Sequence, residues 1–150
     1  MALYYLETSA LVKLYVYELG TDQLVSLAAS AAGNRFAILS LAQVEFRAAI
    51  QRQQRGGEAS VAEADLLIES FRQHAEGRFV IQPFTDSLLD VALALIDAYP
   101  LKGFDAVQLA GYLMLRSISG ADEPIFVCAD KTLLSAARSE GCPILNPGSV

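Results

Sequence analysis

Short apolar runs of strand length alternate with longer helix-forming stretches from one end of the chain to the other, and this alternation leaves few architectures open. The runs are Tyr4–Leu6, Phe36–Leu39, Phe79–Gln82, Ile125–Cys128 and Ile144–Leu145. The second and fourth are apolar at every position, which is the mark of a strand covered on both faces rather than wetted on one. Strands of that kind, separated by helices, build a parallel sheet with helices packed on its two sides. The expected fold class is therefore α/β, three layers deep, with a central parallel sheet flanked by helices. No internal repeat, low-complexity tract or linker divides the sequence, so residues 1–150 are read as a single domain.

Helix boundaries follow from caps and breakers. Thr8 or Ser9 can cap a helix from Ala10 to about Glu18, ended by Gly20, and Thr21 or Asp22 opens the next, to about Ala32. Ser40 is in place to cap a third, from Leu41 to about Arg55. Ser60 and Glu63 have the spacing of a capping box for a fourth, reaching about Glu76. Asp86 or Ser87 starts a fifth that Pro100 stops; a sixth runs from Phe104 to about Ser117 and a seventh from Lys131 to about Glu140.

Several function classes drop out early. With 53% hydrophobic residues and a mean hydropathy of +0.36 the chain is apolar, but no run approaches the roughly 18 residues a membrane span needs. The first residues lack a basic segment and a small-residue cleavage site, so no signal peptide is read and a cytoplasmic, membrane-free protein is expected. Cys128 and Cys142 lack metal-ligand spacing and are read as core thiols. His74 is the one histidine and falls in the polar fourth helix, where it is read as a surface residue. That excludes RNA cleavage by paired imidazoles, and a Ser-His-Asp triad with it. No glycine-rich phosphate loop or dinucleotide fingerprint is present. A net charge of −6 opposes a broad phosphate-binding surface, so a nucleic-acid substrate would require local positive charge or a metal.

The acids carry the chemistry. In an open parallel α/β sheet, ligands bind beyond the carboxyl ends of the strands. Glu7 directly follows the first strand and Asp130 lies just past the fourth, so both belong to that edge. Asp105 opens the sixth helix, where a first-turn acid is also favoured by the helix dipole, and Asp130 could equally be an N-cap. Glu45 stands apart because its helical neighbours Leu41, Ala42, Ala48 and Ala49 are all apolar, while Arg47, Gln51 and Arg55 mark the wet side of the same helix. A glutamate on an apolar stripe is costly unless something pairs with it, although buried ion pairs also produce this pattern. The remaining acids, among them Asp86, Asp90, Asp97, Glu63 and Glu69, read as caps and surface. Lys13, Lys102 and Lys131 are the basic residues nearest the acids in sequence.

Four segments together resemble one family. The opening YLETSALVKLY resembles the YLDTSALVKLY start of VapC-like PIN domains, and SLAQVEFRAAI, LKGFDAVQLAGYL and FVCADKTLLSAARSEGCPILNP resemble later PIN segments in the same order. The resemblance implies a PIN-like fold and a Mg²⁺- or Mn²⁺-dependent endoribonuclease, commonly the toxin of a toxin–antitoxin pair. By position it implies Glu7, Glu45, Asp105 and Asp130 as catalytic acids, with Glu7, Asp105 and Asp130 as metal ligands and Thr8 and Ser9 as auxiliaries. It also implies RNA as substrate, a cognate antitoxin as partner, and a homodimer. Two positions depart from the family pattern: Glu7 replaces an aspartate, and Cys128 stands where serine or threonine is frequent. Glu7 keeps a second expectation open, that of a catalytically impaired PIN-like protein acting as a binding or regulatory partner. A receiver-like phospho-acceptor is set aside, because Pro83, Phe84 and Thr85 separate the middle strand from its next acid, Asp86.

Gathered carboxylates explain the metal requirement. Two unit charges about 4 Å apart repel by on the order of 4 kcal/mol at an effective dielectric of 20. A divalent cation removes that conflict, and an all-oxygen donor set suits Mg²⁺ or Mn²⁺. Tyr15, Tyr17 and Phe71 could serve an interface or the core.

Overall fold

The apolar runs lie side by side as one parallel sheet of five strands, in the order β3-β2-β1-β4-β5. The computed structural model describes residues 1–149. In chain order the elements are β1 (Leu3–Leu6), α1 (Thr8–Lys13), α2 (Thr21–Ala28), β2 (Arg35–Leu39), α3 (Ala42–Arg55), α4 (Val61–Gly77), β3 (Phe79–Gln82), α5 (Asp86–Ala98), α6 (Gly103–Ile118), β4 (Ile125–Val127), α7 (Lys131–Ser139) and β5 (Ile144–Leu145). No helix among the described residues is long and apolar enough to cross a membrane.

Each face of the sheet has its own core, as strands apolar on both sides require. Tyr5, Ala37, Leu39, Phe126 and Cys128 pack with α5, α6 and α7. Their strand neighbours Leu6, Phe36, Ile38 and Val127 point the other way and pack with α1, α2, α3 and α4. The alternation of side-chain direction along a strand thus assigns β1, β2 and β4 to both layers at once. Tyr5 and Tyr112 are the largest fully buried side chains of the first layer, and the Tyr5 ring lies near those of Tyr112 and Phe126.

Strand order decides where a site can form. After β1 the chain adds β2 and β3 on one side, and β4 and β5 then fill the other. The connections diverge between β1 and β4, and the crevice beyond their carboxyl ends is the topological switch point. At that edge the Glu7 N–H donates to the Val127 carbonyl at 3.0 Å, so the two strands leave the sheet locked together.

Several local expectations are corrected. The first helix is a single short segment that ends at Lys13 and does not reach Glu18. Tyr15 is drawn down onto Phe46 and Phe71, and its hydroxyl meets His74 Nδ1 at 2.7 Å. This tertiary packing overrides a helical continuation, and it makes His74 half-buried and engaged rather than a free surface residue. Phe71 is core and Tyr17 is exposed, its hydroxyl donating to Asp22. The cap of α1 is Glu7, not Thr8 or Ser9. Ser40 does not cap α3; its hydroxyl accepts from Phe84 N–H at 3.0 Å and ties the α3 entry to the β3–α5 connection. Thr85 rather than Asp86 or Ser87 caps α5. α2 begins after Gly20, whose φ of 98° and close approach to Pro147 both require glycine, and the Thr21 hydroxyl serves the preceding loop by accepting from Glu18 N–H. The Ser60–Glu63 capping box is present as expected.

Candidate functional site

Four acids come from four different elements of the switch-point edge. Glu7 is the first residue after β1, Glu45 lies in the first turn of α3, Asp105 in the first turn of α6, and Asp130 immediately precedes α7. Their mutual influence is visible in their proton affinities. Burial pushes the Asp105 carboxyl above the usual carboxylate range, and the charges of Asp130 and Glu45 push it the same way against the relief offered by Lys102. Burial also raises Glu7, with Glu45 adding to the effect, while the Ser9 hydroxyl and N–H and the Cys128 thiol pull it back. Electrostatics therefore links Asp105 to Asp130 and Glu45, and Glu7 to Glu45.

The arrangement is held by internal hydrogen bonds that use one oxygen of three of the acids. Glu7 Oε2 accepts from the Ser9 N–H at 3.0 Å and from the Ser9 hydroxyl, so the longer side chain folds back to cap its own helix. Asp130 Oδ1 accepts from the Leu133 N–H at 2.9 Å, so this candidate acid is also the N-cap of α7. Glu45 Oε1 accepts from the Thr8 hydroxyl at 2.8 Å. The Ser9 hydroxyl also accepts from Ala129 N–H at 3.2 Å, linking the β1 and β4 exits. Both expected auxiliaries, Thr8 and Ser9, thus touch site carboxylates.

Glu7, Thr8, Ser9 and Glu45 line an open recess of about 440 Å³ between α1 and α3, with Arg52 on its wall. Asp105 and Asp130 do not line that recess. As the side chains stand, no three His, Cys, Asp or Glu among the described residues are gathered closely enough to grip an ion. The donor set nevertheless fits a hard divalent cation: its carboxylates are oxygen-only, and Glu7 and Asp105, raised by burial first and by neighbouring acids second, are carboxylates whose charge a cation would relieve.

Two residues were not foreseen. Gln108 is 1% exposed, and its amide reaches both Glu45 and Thr8. The available signal was a glutamine one helical turn after Asp105 in an otherwise apolar stretch, Ala106 to Met114. Arg52 lies two turns after Glu45 on the same face of α3, a spacing that could have been read from the sequence. The lysines named from the sequence do other things. Lys13 is buried and its Nζ is paired with Glu18 at 3.1 Å, and Lys131 lines a separate recess with Tyr99 and Pro100; only Lys102 acts on a site acid. Cys128 is a neutral thiol, since burial and the Glu7 charge push its pKa well up, and its sulfur accepts from the Asp130 N–H at 3.3 Å.

Solved structures share this architecture over nearly all of their length. VapBC2 from Rickettsia felis, bound to a DNA fragment from their promoter, superposes with a TM-score of 0.65 at 14% identity, covering 96% of this chain and 98% of that one. FitAcB from Neisseria gonorrhoeae gives 0.67 at 13% identity, with both chains covered completely. A toxin-antitoxin complex from Klebsiella pneumoniae gives 0.64 at 17%, again with complete coverage of both chains. The fold is PIN-like. At these identities the likeness establishes the PIN-like fold and nothing finer. No family model matches the chain, and no curated protein matches it either.

Proposed function

We propose that the chain is a metal-dependent endoribonuclease that hydrolyses RNA phosphodiester bonds, and that it is the toxin of a toxin–antitoxin pair. The observation that carries this reading is the placement of Glu7, Glu45, Asp105 and Asp130 along the switch-point edge, with the Asp105 carboxyl raised by burial first and then by the charges of Asp130 and Glu45. Glu7, Asp105 and Asp130 would hold Mg²⁺ or Mn²⁺ through the oxygens not engaged by Ser9 and Leu133. When bound, such an ion supplies charge neutralisation at the phosphate and lowers the pKa of water.

The chain's own groups supply the rest. Glu45 presents a carboxylate at the recess wall, where it orients the attacking water and accepts its proton. Arg52 offers a guanidinium at the same wall, suited to a phosphate oxygen in an otherwise acidic surround. Thr8 and Ser9 hold the carboxylates in place. The structural neighbours that include toxin-antitoxin complexes support a cognate antitoxin as partner; a homodimer is proposed on the sequence resemblance alone.

A second reading, that of an impaired PIN-like binding partner, has one observation in its favour: Glu7 spends an oxygen on its own helix. A single series separates the two. Purified, partner-free protein is incubated with labelled RNA in EDTA, Mg²⁺ or Mn²⁺, beside Asp105→Asn and Glu7→Asp. Metal-dependent cleavage that vanishes in Asp105→Asn is the expected result. Cleavage by Glu7→Asp alone would favour the impaired reading, and silence from parent and Glu7→Asp on a broad RNA pool would refute the nuclease.

A further inference from the structure

The carboxylate of Glu45 is held by a buried chain of hydrogen bonds that starts on the other side of the sheet. The Tyr5 hydroxyl, fully buried, donates toward Gln108 Oε1 at 3.0 Å and the Gln108 carbonyl at 2.9 Å. The Gln108 Nε2 group then donates one proton to Thr8 Oγ1 at 2.9 Å and the other to Glu45 Oε1 at 2.8 Å. Thr8, accepting from Gln108, uses its own proton on Glu45 Oε1 at 2.8 Å.

The proton directions in this network are set by chemistry. Reversing the amide would set its carbonyl oxygen against the Glu45 carboxylate, acceptor facing acceptor, and would take both N–H donors away from Thr8 and Glu45, so the orientation with Nε2 toward Glu45 is the one that fits. Both donors converge on Oε1, and among the described residues no hydrogen bond engages Oε2. A glycine keeps the network open: a Cβ at Gly111, in the interior of α6, would lie 2.5 Å from the Tyr5 hydroxyl. A mid-helix glycine is unfavourable, so its place over this hydroxyl marks the space as needed.

Resting on the nuclease reading above, we infer that Gln108 is the positioning residue of Glu45, pinning Oε1 so that Oε2 is the oxygen presented to substrate, with Tyr5 and Thr8 fixing the amide. It touches no reacting atom. Its effect is on geometry, where an error of about 1 Å costs about a hundredfold in rate.

The test pairs kinetics with a readout that needs no catalysis. The side-chain amide of Gln108 is followed by ¹⁵N NMR in metal-free parent, Glu45→Ala and Tyr5→Phe, and RNA cleavage is measured in parent, Tyr5→Phe and Gln108→Leu. Tyr5→Phe retains the aromatic core and provides the variant that keeps its fold. The expected result is slow solvent exchange of the Gln108 amide protons, a clear shift in Glu45→Ala, and a kcat reduced about tenfold in Tyr5→Phe and about a hundredfold in Gln108→Leu, with KM within about twofold. Amide protons that exchange as fast as those of exposed Gln43 and ignore Glu45→Ala would overturn the positioning role. So would an active parent whose kcat is unchanged in both Tyr5→Phe and a folded Gln108→Leu. An inactive parent with the NMR coupling intact would refute the nuclease reading while supporting the positioning of Glu45.

Discussion

Replacing Gly111 with alanine should destabilise the protein, and the sign of that effect is informative. In an unobstructed helix interior the change gains about 1 kcal/mol from helix propensity. Here the new methyl would sit 2.5 Å from the Tyr5 hydroxyl and 3.0 Å from Leu39 Cδ1, both in a closed core. Overpacking of that kind costs about 1–3 kcal/mol. Displacing the hydroxyl also breaks its bonding to Gln108, a loss of about 1 kcal/mol. The balance is a net loss of about 1–3 kcal/mol, which for a chain of this length corresponds to a Tm lowered by roughly 3–9 °C. The same substitution made in Tyr5→Phe meets no hydroxyl: the nearest ring atom is then 3.4 Å away, and only Leu39 Cδ1 at 3.0 Å, the far end of a flexible side chain, has to give. In that background Gly111→Ala should be neutral or stabilising, giving a coupling of at least about 1 kcal/mol between the two positions. Urea unfolding followed by circular dichroism on the four proteins measures it. An alanine that stabilises the parent, or that costs as much in the Tyr5→Phe background as in the parent, would refute the steric account of this site.

Metal-free protein should lose stability as pH rises through the folded-state pKa values of Glu7 and Asp105. Both are raised, so the folded state binds protons more tightly than the unfolded chain and the contribution is favourable only at lower pH. Asp105→Asn should flatten the slope above about pH 4, the ordinary carboxylate range, and thermal unfolding across pH with EDTA checks it. Mg²⁺ or Mn²⁺ should raise the Tm of the parent more at neutral than at acid pH, and Asp105→Asn should respond less to either ion. Ser60→Ala removes one half of the α4 capping box and should cost about 1 kcal/mol without altering cleavage, because the box lies outside the site. Ser9→Ala frees Glu7 Oε2 from the hydroxyl that pulls its proton affinity down, so the Glu7 pKa should rise further, as ¹³C NMR of the glutamate carboxyls would register.

The sheet was readable because its signal is local and redundant. Phe79–Gln82 and Ile144–Leu145 have the same ends in sequence and structure, and the apolar runs alone required a sheet covered on both faces. The placement of Glu7 and Asp130 at the sheet edge was readable too, since position after a strand is a sequence property; Glu45 stood out by its apolar neighbours. What sequence could not convey is competition for the same polar group. Ser40 is a good N-cap by type, but Phe84 N–H, 44 positions away, claims its hydroxyl. A helix through Tyr15 was a fair local inference until Phe46, Phe71 and His74 were brought around it. Gln108 looked like an isolated polar residue because its partners, Tyr5, Thr8 and Glu45, are long-range neighbours.

The turned-back Glu7 side chain gives the site a built-in reporter. Its Oε2 secures the first turn of α1 through Ser9 N–H, so a ligand that recruits this oxygen withdraws it from the helix. Occupancy by such a ligand and capping of α1 then become opposite sides of one equilibrium. Hydrogen–deuterium exchange at the single amide of Ser9 would distinguish a ligand that recruits Oε2 from one held by the other Glu7 oxygen, without a substrate, a dye or an assay of turnover.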